Sequence, residues 1–269
     1  MRLPLAAALA AILLLPGALA HEDAASVGEG IAQNGMNAVA VALAFMAVAV
    51  VIALGWKGKP DRAKPVLFLL IVIPVVLATA VLVGSTIYLN QVSATGGPVH
   101  WHADFEIWSC GQKIDLVDPT GLENRVGTAV VHEHGDDRIH VEGVLVDLEE
   151  ASLHEFFEVV GGGLSAGELA VPLNAGSLAV RNGDLCPDGQ AGELQLWAYR
   201  VANPRERGGW QYVQERADPD YVLSPHSAVP PGDCIILEFG PPRERTDRLC
   251  ETYRLALERG ELTPAAEGG

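Results

Sequence analysis

Gly127–Val146 reads GTAVVHEHGDDRIHVEGVLV, two runs of apolar alternation on either side of a polar turn. Gly127–His134 and Arg138–Val146 are therefore expected to pair as a hairpin around Gly135-Asp136-Asp137. Side chains two apart on a strand share a face, so His132 projects with His134, and His140 with Glu142. With a three-residue turn, His134 faces Arg138 and His132 faces His140. Directly opposed Cβ atoms lie about 4.5–5.5 Å apart, a fair separation for two imidazoles on one metal. A slip of one residue would turn His140 to the other side.

Working outward, Trp101–Trp108 alternates as a strand and turns at Gly111-Gln112 toward Lys113–Leu116. Ser152-x-x-Glu155 has the form of a capping box. It opens a short helix whose buried side is Leu153, Phe156, Phe157 and Val160, and which Gly161-Gly162-Gly163 ends. Gly192–Val201 and Cys234–Phe239 read as further strands, the second apolar throughout and suited to a central position. Asn203–Pro231 is rich in loop residues. Arg243–Arg259 reads as a charged amphipathic helix stopped by Gly260, and 260–269 as a disordered tail. The mixture implies an α+β domain over 98–259.

Six of the eight histidines lie between His100 and His154, and their grouping matters more than their number. His100 and His102 form H-W-H, His132 and His134 form H-E-H, and His140 precedes Glu142. A strand carrying His100 and His102 beside the hairpin would complete a nitrogen-rich site. Imidazole suits Cu²⁺ or Zn²⁺, and non-haem iron would fit if Glu133 or Glu142 supplied an oxygen. Histidines scattered on a sheet surface, or a patch titrating near pH 6.5, are the competing readings. His154 is expected to face solvent and His226 to sit in a loop. His21 would become the N-terminus if cleavage follows Ala20. The chain carries no G-x-S-x-G, P-loop or dinucleotide fingerprint.

Met1–Ala20 has one base, a short apolar core and a small-x-small ending, the pattern of a signal peptide. A short exported segment, 21–36, leads to a transmembrane helix over 37–56. A loop, 57–64, connects it to a second over 65–89, and 90–97 is a linker. The loop holds Lys57, Lys59, Arg62 and Lys64 against Asp61, so it is expected in the cytoplasm, with the C-terminal domain outside. Neither span contains an ionisable residue, which leaves the bilayer as their partner and argues against transport. Cys110, Cys186, Cys234 and Cys250 all follow the spans. Four cysteines in an oxidising compartment suit two disulfides, with three possible connectivities. Asp and Glu outnumber Lys and Arg by 34 to 18. Nearly all of the excess follows the spans, so nucleic acid is excluded as a partner.

Five strings occur in order: VHWHADFEIWSCG (Val99–Gly111), HEHGDDRIHVEGV (His132–Val144), SLHEFF (Ser152–Phe157), GDLCPDGQAG (Gly183–Gly192) and GDCIILEFG (Gly232–Gly240). Together they resemble an uncharacterised family of prokaryotic membrane-anchored envelope proteins with an exported histidine-rich domain. The resemblance covers roughly 98–241 and implies no reaction. It places His100, His102, His132, His134 and His140 on the family's histidine pattern, whereas Glu142 stands where histidine is usual. It also implies a β-grasp-like arrangement. Cys110 and Cys186 match the family's cysteines while Cys234 departs from them, which implies pairing of Cys110 with Cys186 and of Cys234 with Cys250. The leading expectation is a membrane-anchored extracytoplasmic module binding copper or zinc. Its alternatives are a metal-dependent oxidoreductase or hydrolase using the same histidines, and a metal-free subunit of a membrane complex. Whether the chain is an enzyme stays open on the sequence alone.

Overall fold

The computed structural model describes residues 27–223 and 232–265, so the signal-peptide reading, His21 and His226 fall outside it. Two long helices come first, α1 (Val27–Gly55) and α2 (Ala63–Val92). Both are long and apolar enough to cross a membrane. At 1.5 Å per residue each is about 44 Å long, against about 30 Å of hydrocarbon. The first therefore starts before the expected span and takes in much of 21–36, and the second runs into the expected linker. Gly28, Gly35, Ala42 and Ala49 are the buried residues of α1, one every seven positions. This small-residue stripe lets α2 approach closely: a Cβ on Gly35 would lie 3.1 Å from Leu82. Outward-facing Val51, Leu54, Phe68 and Leu77 stay exposed, as lipid-facing side chains do.

The rest is a mixed helix-and-sheet domain. Its strands are β1 (Val99–Ser109), β2 (Gln112–Ile114), β3 (Val126–Gly127), β4 (Val131–Glu133), β5 (Arg138–Gly143), β6 (Gly163–Leu164), β7 (Glu168–Leu173), β8 (Gly176–Arg181), β9 (Glu193–Val201), β10 (Trp210–Ala217), β11 (Asp233–Gly240) and β12 (Leu262–Pro264). Helices α3 (Leu153–Val159) and α4 (Glu251–Glu258) complete it. The main sheet runs β12-β10-β9-β11-β1-β5-β4-β3, with β2 paired to β1. Strands β6-β7-β8 form a second, smaller sheet. Within the main sheet β1 lies parallel to β11 and antiparallel to β5, so β11 is central, as its continuous apolar run implies.

Alternation along β1 sorts the two faces. Ala103, Phe105 and Ile107 enter the larger core with Ile139, Val141, Ile235 and Leu237, beneath Phe156 and Phe157 of α3. Ser152 caps α3 by accepting from the Glu155 amide. His100, His102, Asp104 and Glu106 alternate to the opposite face. Farther along that face Trp197, Tyr199, Cys234 and Ile236 pack under Tyr253 and Ala256 of α4. Disulfides join Cys110 to Cys186 and Cys234 to Cys250, matching the pairing that the resemblance implies.

Several local expectations change. Gly127–His134 is two strands, β3 and β4, folded back at Thr128, whose hydroxyl accepts from the Val131 amide. The turn after β1 falls at Cys110-Gly111, both with positive φ. The C-terminal helix begins only at Glu251. Before it, Arg243 and Arg248 are drawn to Glu238, and the Tyr199 hydroxyl donates to the Arg248 carbonyl. These contacts hold 243–250 in a non-helical path. The loop-rich stretch contains β10, and Leu262–Pro264 of the expected disordered tail pairs with it as β12.

Candidate metal centre

Strands β4, β5 and β1 lie side by side, and their register sets the site. His132 is paired with His140, and His140 in turn with His102, so three imidazoles stand in one row across three strands. The three-residue turn at Gly135–Asp137 holds, as the His132–His140 pairing requires. On the next row of the same face His100 pairs with Glu142. His134 extends the face beyond β4.

Two groups of donors result. One ligand atom from each of His132, His134 and His140 lies within 4.8 Å of the other two, and the same holds for His100, His102 and Glu142. The rings of His132 and His140 stack with centroids 5.5 Å apart, and His134 meets His140 edge-on at 4.7 Å. His102 and His140, also 4.7 Å apart, join the two groups. All six residues picked out from the sequence are thus brought together. Glu133 is not among them: it lies opposite in alternation, and its carboxylate accepts from the Asp136 amide at 2.6 Å.

The surroundings determine which ring nitrogens are available. His134 Nδ1 contacts the Asn124 carbonyl. A carbonyl only accepts, so Nδ1 carries the proton and Nε2 keeps its lone pair. Asp136 Oδ2 lies 3.4 Å from His140 Nε2. A carboxylate there holds the proton on Nε2 and leaves Nδ1 as donor, the arrangement that supports metal-binding histidines elsewhere. His132 is 3% exposed, and its Nδ1 is buried with no hydrogen-bond partner. An orphaned nitrogen on an imidazole that belongs to a three-donor group fits a cation. Burial pushes His132 down to about 4, helped by His134 and His140. It does the same to His102, helped by His140 and His100. His140 is lowered for the same leading reason. These rings are neutral at neutral pH, the form that ligates.

Asp136 was missed as a functional residue because an Asp in a tight turn has a sufficient local explanation. The signal that could have found it is its place four residues before His140, across the turn. Gly127 was missed too. It lies opposite His132, and a Cβ there would sit 2.6 Å from the Val131 carbonyl and 3.0 Å from His132 Cα. Only glycine lets β3 close against the buried imidazole. His154 lies away from both groups and is exposed, as expected, with its Nδ1–H donating to the Leu164 carbonyl at 2.8 Å.

The chain matches no family model, no curated protein and no solved structure.

Proposed function

We propose that the sheet domain is a membrane-anchored, extracytoplasmic module that binds a divalent transition metal, Cu²⁺ or Zn²⁺, on its imidazole face. The observation that carries this is the gathering of five histidines and one glutamate into two groups of three donors. Imidazole nitrogen with a single carboxylate suits zinc and copper(II), and the described cysteines are all in disulfides, which leaves no thiolate to favour Cu⁺. When bound, such an ion acts as a Lewis acid or, for copper, as a redox centre.

The topology is part of the same reading. The basic loop Lys57–Lys64 lies on the cytoplasmic side and the disulfide-bonded domain outside. The expectation of a β-grasp arrangement carries no part of this, because a fold does not assign a function. A second reading, a metal-dependent hydrolase or oxidoreductase, draws support from the donor count. Three protein ligands leave a coordination position open for water or substrate, as catalytic zinc sites do. The test is the metal content of full-length protein purified in detergent, with affinities measured under buffered free Cu²⁺ and Zn²⁺. We expect stoichiometric metal, removed by chelator and by acidification. Protein that binds neither ion more tightly than a His100/His132/His140 triple alanine variant would leave the metal-free subunit as the standing alternative.

A further inference from the structure

The six donors do not form one shell. His132, His140 and His102 occupy one row of the sheet, and His100 and Glu142 occupy the next. An ion about 2.0–2.2 Å from each ligand keeps its donors no more than about 4.4 Å apart. Each group, with its donor atoms within 4.8 Å of one another, comes within a few tenths of an ångström of that limit. Among the described residues no larger set of these donors meets the same distance.

We propose that this face binds two divalent ions side by side, one on His132/His134/His140 and one on His100/His102/Glu142. This rests on the metal-binding reading and specifies the centre as dinuclear. The edge-on contact of His102 and His140 makes a shared wall of two imidazoles between the ions. Two dications so close repel, and a carboxylate on each side offsets this: Asp136 beside His140, and Glu142 within the second group.

The two positions differ in chemistry. The first offers three nitrogens and includes the buried His132. The second offers two nitrogens and an oxygen and is open to solvent, since the side chain of His100 is 64% exposed. There His100 and His102 already approach Nε2 to Nε2 at 3.0 Å, a separation held by one ring proton. That is close to the distance two nitrogens keep on one tetrahedral ion, about 3.3 Å. An ion can take the proton's place as that proton moves to Nδ1 of its ring through solvent. The nitrogen-only position should therefore fill first and the mixed position second, with lower affinity.

The experiment titrates the full-length protein in detergent with Zn²⁺ under buffered free metal, counting ions per chain, and repeats this for Glu142→Gln and His134→Ala. We expect two ions for the parent and one for each variant, with Glu142→Gln keeping the tighter site. Thermal melting in chelator, and the conservative His134→Gln, separate loss of a site from loss of fold. Loading with Cu²⁺ should give a dipole-broadened paramagnetic resonance signal in the parent and an isolated-ion signal in either variant. One ion per chain, lost alike in both variants, would mean a single site spanning the groups; it would overturn this inference while leaving metal binding intact. Two ions that persist in both variants, or two with isolated signals, would place them elsewhere and overturn it as well. A parent that binds none would instead overturn the metal reading itself.

Discussion

One face of the main sheet carries two regions with opposite solutions to the same geometric problem. Over β9 and β11 that face is roofed by α4, pinned by the Cys234–Cys250 bond and by Tyr253, whose hydroxyl donates to the carbonyls of Gly232 and Tyr199. Over β4, β5 and β1 the same face presents imidazoles, some buried and some open. The Asp104–Arg138 ion pair, 2.7 Å between Nε and Oδ1, marks the border, and Thr252 of α4 reaches the other oxygen of Asp104. The difference teaches that the roofed region supplies stability through apolar burial, while the imidazole region leaves a buried ring nitrogen, His132 Nδ1, without a hydrogen-bond partner.

The largest expected effect lies in the roofed region. Tyr253→Ala empties a fully buried position and should cost about 3–5 kcal/mol of folding stability. His140→Ala should change the stability of chelator-treated protein far less. Thermal melting of both variants checks this, and equal losses would break the contrast.

Metal affinity should respond in reverse. His132→Ala and His140→Ala should each lower it by more than the roughly 10–100-fold expected for Asp136→Asn, which removes only the carboxylate supporting His140. His154→Ala should leave it unchanged. Competition against a metal buffer measures all four. The face was legible in the sequence to this extent because strand alternation is a geometric rule: H-x-H fixes a shared side, and a three-residue turn fixes His132 opposite His140. The division into two groups was not legible, since it depends on β1 lying against β5 with His102 opposite His140. That pairing is long-range and leaves no local pattern. For the same reason β10 and β12 were read as loop and tail: each is held by its sheet partners more than by its own alternation. The early start assigned to the C-terminal helix reflects strong local charge periodicity, overridden by Glu238 drawing Arg243 and Arg248 to itself.

A smaller change sharpens the comparison from the far side of the sheet. Ser152→Ala removes the cap of α3 and should cost about 1 kcal/mol. Because α3 packs on the opposite face, metal affinity should stay at the parent's value.

The last effect is a slope with pH. His102 and His132 are held down to about 4 in the folded chain, against about 6.5 when unfolded. Between those values the unfolded state binds more protons. Stability of chelator-treated protein should therefore be full above about pH 6.5 and fall as the pH drops toward 4. Melting temperatures across that window, with His102→Ala flattening the slope relative to the parent, provide the check.

The junction between α2 and β1 has its own consequence. Ser93, Thr95 and Gly97 knot the short connection with hydrogen bonds, and the Ala94 amide donates to the Leu145 carbonyl. Glu29, in the first turn of α1, accepts from the Ala129 amide in the turn between β3 and β4. Six residues, 93–98, even if pulled straight, would reach only about 20 Å. The domain is therefore no buoy on a flexible mooring. A rotation of α2 about its own axis reaches His100 through a few knotted residues. Under the anchoring proposed above, the imidazole face stays within that short reach of the end of α2.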